Sequence, residues 1–160
     1  PLLHTIDNPK ALHLYAVRGV AGRVVIVGEQ GLALRLAEAS QRFVALDLPY
    51  KGTLFGLIGN SSVLLAHGLR GKVLRSTDGG QQWSTVATNV QSGLTAAALD
   101  ERGRFVLVNQ AGHVLVSGDE GASFQPAKVD RALPAAAVLA LSPGRVLLAG
   151  PRGLAPVALS

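Results

Sequence analysis

A repeat of about 40 residues constrains this chain more than any other feature of its sequence. Four glycines, each preceded by a strand-like segment rich in Val, Leu and Ile, recur at intervals of 40, 41 and 41 residues. These glycines are Gly31, Gly71, Gly112 and Gly153. Self-similarity at such a period is typical of an array of one supersecondary unit, which cannot bury its apolar face alone. The chain must therefore fold as a stack of about four such units.

Each complete repeat contains four strand-like segments, joined by short connections that carry Gly, Asn, Asp or Pro, the residue types found in tight turns. No segment has a sustained 3.6-residue apolar period with caps, so almost no helix is expected. The pattern predicts an all-β chain, a β-propeller made of four-stranded antiparallel blades. The predicted strands are residues 12–17, 23–27, 33–36, 43–48, 54–58, 62–66, 72–76, 83–87, 95–99, 104–108, 113–117, 124–128, 138–141, 145–149 and 154–159.

The 160 residues are interpreted as a single propeller domain or part of one. Its repeats cover approximately residues 10–49, 50–92, 93–133 and 134–160. The fourth repeat holds only three predicted strands, and the segment of residues 1–9 aligns, over residues 3–9, with the last strand of the first repeat. These residues are expected to complete the last blade, since propellers avoid an unpaired sheet edge. The ring is then either a closed ring of four blades or half of a larger ring, completed by a second copy or by further chain.

Two turns follow the pattern S-x-D-x-G-x-x-W/F, called the Asp-box or BNR repeat, and they lie 41 residues apart. Short Ser and Asp side chains can accept hydrogen bonds from backbone N–H groups across a turn. Glycine permits a left-handed backbone, and the aromatic side chain is expected to anchor between blades. We therefore interpret the pattern as structural. Its residues are Ser76, Asp78, Gly80, Trp83, Ser117, Asp119, Gly121 and Phe124.

The segment Arg75-Ser-Thr-Asp-Gly-Gly-Gln-Gln-Trp83, together with Val27-Gly-Glu-Gln-Gly31, resembles the photosystem II stability/assembly factor-like family of propellers. The resemblance extends over the whole chain through the repeat, but sialidases and sortilin-type receptors share the Asp-box. It implies a non-enzymatic scaffold for assembly or interaction with a protein partner. Because the family includes exported proteins of non-photosynthetic bacteria, it also implies an exported or periplasmic location. Family members usually have more than four blades, which favours a fragment or a half-ring, and a half-ring implies self-association into a larger ring as a homodimer.

A carbohydrate-active propeller, either sialidase-like or lectin-like, is the alternative. Sialidases need an arginine triad and a tyrosine nucleophile with a glutamate partner, and the only tyrosines are Tyr15 and Tyr50. The four histidines have no metal-ligand spacing, there is no cysteine, and no phosphate-binding glycine loop occurs. We therefore expect no catalytic residue, no cofactor and no metal site.

The formal charge of +5 is spread over single basic residues without a run of three, so nucleic acid is not an expected partner. No apolar run approaches the ~20 residues that span a bilayer, so no membrane insertion is expected. One end of the propeller should carry the turns between second and third strands together with the linkers between blades. Loops at one end of a rigid scaffold often carry function, and Tyr and Arg anchor interfaces. The predicted partner-binding residues are Tyr50, Lys51, Arg70, Arg131 and Arg152.

Overall fold

The apolar segments of each repeat form one antiparallel sheet, with the strands in sequence order across the sheet. The computed structural model describes residues 6–20 and 22–159. Within these residues there are four sheets and no α-helix, and residues Glu29–Gly31 and Leu69–Gly71 form tight turns. The predicted all-β fold of propeller blades is confirmed.

The first two blades have four strands each. Their strands are β1 (Leu14–Val20), β2 (Arg23–Gly28), β3 (Ala33–Ala37), β4 (Arg42–Ala45), β5 (Leu54–Gly59), β6 (Leu64–Gly68), β7 (Val73–Ser76) and β8 (Ser84–Val86). The third blade has four strands and the fourth has three in the described part of the chain. Their strands are β9 (Leu94–Leu99), β10 (Phe105–Asn109), β11 (Val114–Ser117), β12 (Gln125–Pro126), β13 (Ala137–Ser142), β14 (Arg145–Gly150) and β15 (Gly153–Ala158).

The predicted strands agree with the observed ones except at some ends. The strand predicted over residues 124–128 is reduced to Gln125–Pro126. Phe124 does not belong to it because its side chain turns into the core and is 3% exposed. Pro126 shortens the ladder further, since it has no backbone N–H to donate. The predicted strand over residues 43–48 likewise ends at Ala45, where the linker to the second blade begins.

In the described part of the chain the core consists of three apolar layers, one between each pair of consecutive blades. Blades 1 and 2 share a layer that includes Val25, Val27, Leu54 and Leu74. The layer between blades 2 and 3 contains Leu65 and Phe105, and the layer between blades 3 and 4 contains Val108 and Leu148. Alternate residues of a strand point to opposite faces of its sheet, so the largely apolar second strands β6 and β10 of the two interior blades each supply two layers at once.

Most of the segment predicted to complete the fourth blade lies outside the described residues, which begin at Ile6. Residues 6–10 form no strand, and Asp7, Asn8 and Pro9 line a pocket beside the first blade together with Ala45. The described part of the fourth blade has three strands, with β15 at its outer edge. Closure by residues 1–9 therefore stays a prediction.

Candidate partner-binding surface

The loops fall at two ends of the blade array, because consecutive strands of each blade are antiparallel. The turns between second and third strands lie at the same end as the linkers between blades, which we call the loop end. The hairpin turns between first and second strands lie at the opposite end. So do the turns between third and fourth strands, which in blades 2 and 3 run over residues 76–83 and 117–124 and are called the Asp-containing turns. All five predicted partner-binding residues belong to the loop end, as their positions in turns and linkers require.

The turn at Leu69–Gly71 shows how a side chain is presented at the loop end. Arg70 has φ 58° and Gly71 has φ 67°, both left-handed. A side chain at Gly71 would meet the carbonyl oxygen of Val90 at 2.0 Å, because the linker to the third blade crosses directly over this glycine. The Leu69 N–H donates to the Thr53 carbonyl (2.9 Å), which ties the turn to the preceding linker. The side chain of Arg70 is thus exposed to solvent on a turn that is held in place by these contacts.

A groove with a volume of about 530 Å³ lies beside this turn, and we call it the Tyr50 groove. The Tyr50 hydroxyl donates to the Leu69 carbonyl (3.2 Å), and Lys72 Nζ lies 5.4 Å from the centre of the Tyr50 ring. This ammonium–ring geometry is a cation–π contact. The groove is lined by Tyr50, Arg70, Gly71, Lys72 and residues 85–91.

The charge of the Tyr50 groove has one sign. Its lining contains the cations Arg70 and Lys72 and no aspartate or glutamate among the described residues. The remaining polar lining consists of neutral Thr, Asn and Gln side chains, and the Thr88 hydroxyl is already bound to the Gly71 carbonyl (2.7 Å). Two cations beside an aromatic ring form a site suited to a carboxylate-bearing ligand.

The other predicted residues do not belong to this groove. Lys51 pairs with Asp47, and the hydrogen bond from Lys51 lowers the pKa of that carboxyl. Such an exposed pair adds little to stability. Arg131 and Arg152 together line a small pocket of about 60 Å³ at the loop end of the fourth blade. The structure thus brings Tyr50 and Arg70 together, and separately Arg131 and Arg152.

Lys72 is the groove residue that sequence reasoning missed. The sequence predicts Lys72 at the beginning of a third strand, but it precedes β7 and lies half-buried in the groove. The available signal was its position directly after the turn glycine Gly71, which places it at the loop end.

A second cluster missed by sequence reasoning lies at the loop-end beginning of β1. Glu29 accepts hydrogen bonds from the His13 N–H (2.9 Å) and the Tyr15 hydroxyl (3.2 Å), and His13 Nδ1 is 3.1 Å from the same carboxylate. These hydrogen bonds, first of all the one from the His13 backbone, lower the pKa of Glu29. Desolvation and the Glu29 carboxylate raise the pKa of Tyr15. In the described structure no arginine hydrogen-bonds or ion-pairs with this cluster.

The turn at Ser76–Trp83, at the opposite end, is held by its own side chains. The Ser76 hydroxyl accepts from the Gly80 N–H (2.8 Å) and donates to Asp78 Oδ1 (2.9 Å). The same Oδ1 accepts from the N–H groups of Gln81 and Gln82, both at 2.9 Å. Burial acts to raise the pKa of Asp78, but these hydrogen bonds together hold it below the usual value.

The turn beginning at Ser117 repeats this geometry. Its hydroxyl accepts from the Gly121 N–H (2.8 Å) and donates to Asp119 (2.7 Å). The Ser123 hydroxyl donates to the other carboxylate oxygen (2.6 Å), and hydrogen bonds from Ser123 and then Ser117 lower the pKa of Asp119 to about 2. Gly80 and Gly121 have φ of 86° and 75°.

The aromatic residues of these turns lie between neighbouring blades. Phe124 is buried in the layer between blades 2 and 3, and Trp83 packs against the layer between blades 1 and 2. Arg75 Nε donates to the Glu120 carbonyl (2.8 Å), which links blade 2 to the turn of blade 3. The equivalent Arg35 Nε is buried without a hydrogen-bond partner in the described structure.

The described residues contain no group of three or more His, Asp or Glu side chains that could hold a metal ion. They also contain no helix long and apolar enough to cross a membrane.

The sequence matches neither a protein-family model nor a curated protein. Among solved structures, the chain is similar to the computationally designed Ika4 protein (TM-score 0.78, 15% identity), covering 100% of this chain and 99% of Ika4. It is also similar to YCF48 bound to D1 peptide (TM-score 0.65, 13% identity; 99% of this chain, 56% of YCF48). A third is an inactive virginiamycin B lyase from Staphylococcus aureus with quinupristin (TM-score 0.75, 12% identity; 94% and 54%).

Other matches include a WD40 β-propeller domain and an extracellular domain of a one-component system, at 13% and 15% identity. At these identities the likeness shows the fold alone. The chain spans slightly more than half the length of YCF48 and of the lyase.

Proposed function

We propose that this chain is a non-catalytic β-propeller scaffold that binds an acidic segment of a protein partner in the Tyr50 groove. The carrying observation is that Lys72 lies over the ring of Tyr50 and Arg70 lines the same groove, whose described lining has no carboxylate. Aromatic and Arg side chains are the commonest anchors of protein interfaces. A rigid turn and a linker crossing it hold these groups in place before binding, so little conformational entropy is lost.

The similar fold of YCF48, solved with a bound peptide, supports peptide binding by a propeller of this kind. We propose that Arg131 and Arg152 form a second contact patch on the same loop end, and that Lys51 contributes from the rim. Because Lys51 is paired with Asp47, its contribution is expected to be smaller than that of Arg70.

The test compares peptide binding by the unmodified chain and a charge-reversed groove. Fluorescein-labelled peptides of equal length, with Asp and Glu or with Asn and Gln in their place, are titrated and followed by anisotropy. The double variant R70E/K72E should weaken binding of the acidic peptides at least about tenfold, since one charge-assisted contact contributes ~1.5–3 kcal/mol and 1.4 kcal/mol is a factor of ten. Binding should also weaken with added salt.

The control is Arg102→Glu, which reverses one charge on an exposed residue at the opposite end, and its matched counterpart in the groove is the single variant R70E. R102E should leave the affinity of the acidic peptides unchanged. The proposal is contradicted if acidic and neutral peptides bind alike, or if R102E weakens binding as much as R70E.

A carbohydrate-active propeller is the second candidate, because Tyr15 and Glu29 form the tyrosine–glutamate pair that a sialidase-like site would need. The raised pKa of Tyr15 makes its phenol a poorer nucleophile at neutral pH, and no arginine bonds to the pair in the described residues. We therefore expect no turnover of a fluorogenic sialoside. Turnover that is lost in Y15F would establish this alternative.

We further propose that the turns at Ser76–Trp83 and Ser117–Phe124 are Asp-boxes of a photosystem II assembly factor-like propeller. The repeated Ser–Asp–Gly hydrogen bonds support this assignment. We also propose that the native protein is exported, for which the resemblance to families with exported members and the likeness to an extracellular domain are the support. Immunodetection in periplasmic and cytoplasmic fractions of the source cells tests this point.

A further inference from the structure

Every interior blade is covered on both faces, and this repeating contact defines two faces for each blade. The following face packs on the next blade along the chain, and the preceding face packs on the blade before it. On the following faces of blades 2 and 3, Ile58 (6% exposed) pairs with Leu65, and Ala98 pairs with Val106. All four side chains are buried. These positions therefore belong to the blade–blade interface.

Blade 4 leaves the same positions open. Leu139 pairs with Leu147 in the register that Ile58 and Ala98 occupy, but Leu139 is 59% exposed. Along the same face, Ala149 pairs with Leu154, which is 70% exposed. Apart from Arg145 at the beginning of β14, the described positions of this face that are named here are apolar: Ala137, Leu139, Leu141, Leu147, Ala149, Leu154 and Pro156.

The preceding face of blade 1 is exposed along its innermost strand, β1. Leu54 and Leu94 start the inner strands of blades 2 and 3 and are fully buried against the preceding blade. The equivalent Leu14 is 40% exposed, and Val17 on the same strand is exposed as well. Farther out on this blade, Ile26 and Leu34 are already buried, so the open part is the inner strand.

These two openings are not joined to each other within the described chain. Strand β1 packs on β5, β5 on β9 and β9 on β13, whereas no comparable packing joins β13 to β1 in the described residues. An exposed apolar patch at each end of a repeating interface is the mark of an association site.

We propose that a second copy of this chain completes the ring. The following face of blade 4 in each copy receives the inner strand of blade 1 of the other. The contact continues an interface that the chain already makes three times, and the exposed positions on each side are equivalent to positions buried in those interfaces. It is head-to-tail in kind, and two such contacts close a ring about a two-fold axis. The ring then has eight blades, four from each copy.

The proposal is independent of peptide binding, because the terminal faces lie outside the Tyr50 groove. Light scattering after size exclusion should give twice the chain mass of 16.5 kDa.

Leu139→Glu should give a monomer that keeps a cooperative melt, since an exposed position accepts a charge in the free chain. The matched control Leu69→Glu changes an equally apolar, 41% exposed leucine at the loop end and should remain dimeric. A monomeric unmodified chain, or a dimer that L139E leaves intact, overturns the proposal.

Cross-linking tests the pairing of the faces directly, because the chain contains no cysteine. In the interior, His67 Nδ1 of blade 2 contacts the Leu94 carbonyl of blade 3, and Ala149 and Leu14 hold the equivalent positions at the two ends. A mixture of A149C and L14C proteins, treated with a short bismaleimide, should give a covalent dimer, while each protein alone should give none. A cross-link only within one chain, seen in the double variant A149C/L14C, would instead establish a ring of four blades.

Discussion

His67 and Gly56 form a pair whose coupling can be measured. His67 is the only buried histidine among the described residues, and its ring fills the layer between blades 2 and 3. Its Nδ1 lies 3.0 Å from the Leu94 carbonyl, so the neutral ring donates its proton there. Directly across the ladder is Gly56, and a Cβ at this position would lie 2.4 Å from His67 Nε2 and 2.6 Å from Cε1.

In the other blades, different residues occupy the two positions that correspond to Gly56 and His67. Their equivalent pairs are Ala16 with Val27, Ala96 with Val108, and Ala137 with Ala149. Only the blade with the imidazole has glycine opposite. The comparison indicates that Gly56 is required by the ring of His67, and that Ala becomes acceptable when the ring is replaced by Val.

The perturbation is Gly56→Ala in two backgrounds. In the unmodified chain the added methyl group overlaps the imidazole and should lower the free energy of unfolding by about 1–3 kcal/mol, the usual cost of overpacking. The melting temperature should fall by roughly 2–4 °C for each of these kcal/mol in a chain of this size. In the H67V background the clash is absent, and Ala should raise the free energy of unfolding by about 0.4–1 kcal/mol because it restricts the unfolded chain.

Urea unfolding of the unmodified chain, G56A, H67V and the double variant gives the coupling free energy. We expect about 2 kcal/mol, with the effect of G56A changing sign between backgrounds. The matched control is Gly19→Ala, where an added Cβ meets nothing within 4 Å; its effect should be the same with and without His67. If G56A costs the same free energy in both backgrounds, the packing argument is refuted.

Two further predictions concern titration and the Asp-containing turns. Desolvation lowers the pKa of His67 below its usual 6.5, although the hydrogen bond to Leu94 opposes this, so the unfolded chain binds more protons. The contribution of the neutral, buried His67 ring to the free energy of unfolding should therefore be fully present above about pH 6.5 and should decline as the pH falls below that value. H67V should remove this part of the pH dependence in urea titrations at constant salt. Ser117→Ala should lower the free energy of unfolding by ~1–3 kcal/mol, because the buried Gly121 N–H loses its acceptor. Ser123→Ala, at an exposed position of the same turn, should cost less, and equal costs would contradict the role assigned to Ser117.

Features that depend on neighbours in sequence were determined by the sequence alone. The recurring glycines mark left-handed turns, with Gly31 at φ 76° and Gly71 at φ 67°, because only a residue without Cβ adopts that backbone readily. The strands followed from runs of Val and Leu between turn residues, and their order from the hairpin connections. The serine and aspartate of each Asp-containing turn bond groups within a few residues, so their geometry could be inferred from spacing.

Only the tertiary structure decided which groups meet across blades and linkers. Lys72 contacts the ring of Tyr50 because the linker between blades 1 and 2, which contains Tyr50, lies beside the turn between β6 and β7. This contact could not be predicted from the separation of the two residues in the sequence. Arg131 and Arg152 meet each other and not Arg70, since each blade carries its own turn and linker. The exposure of Leu139, compared with the burial of Ile58 at the same register, depends on whether another blade follows. Local spacing determines a blade, but contacts between blades arise from the stacking of rigid sheets, and identical sequence patterns become core or surface according to what lies against them.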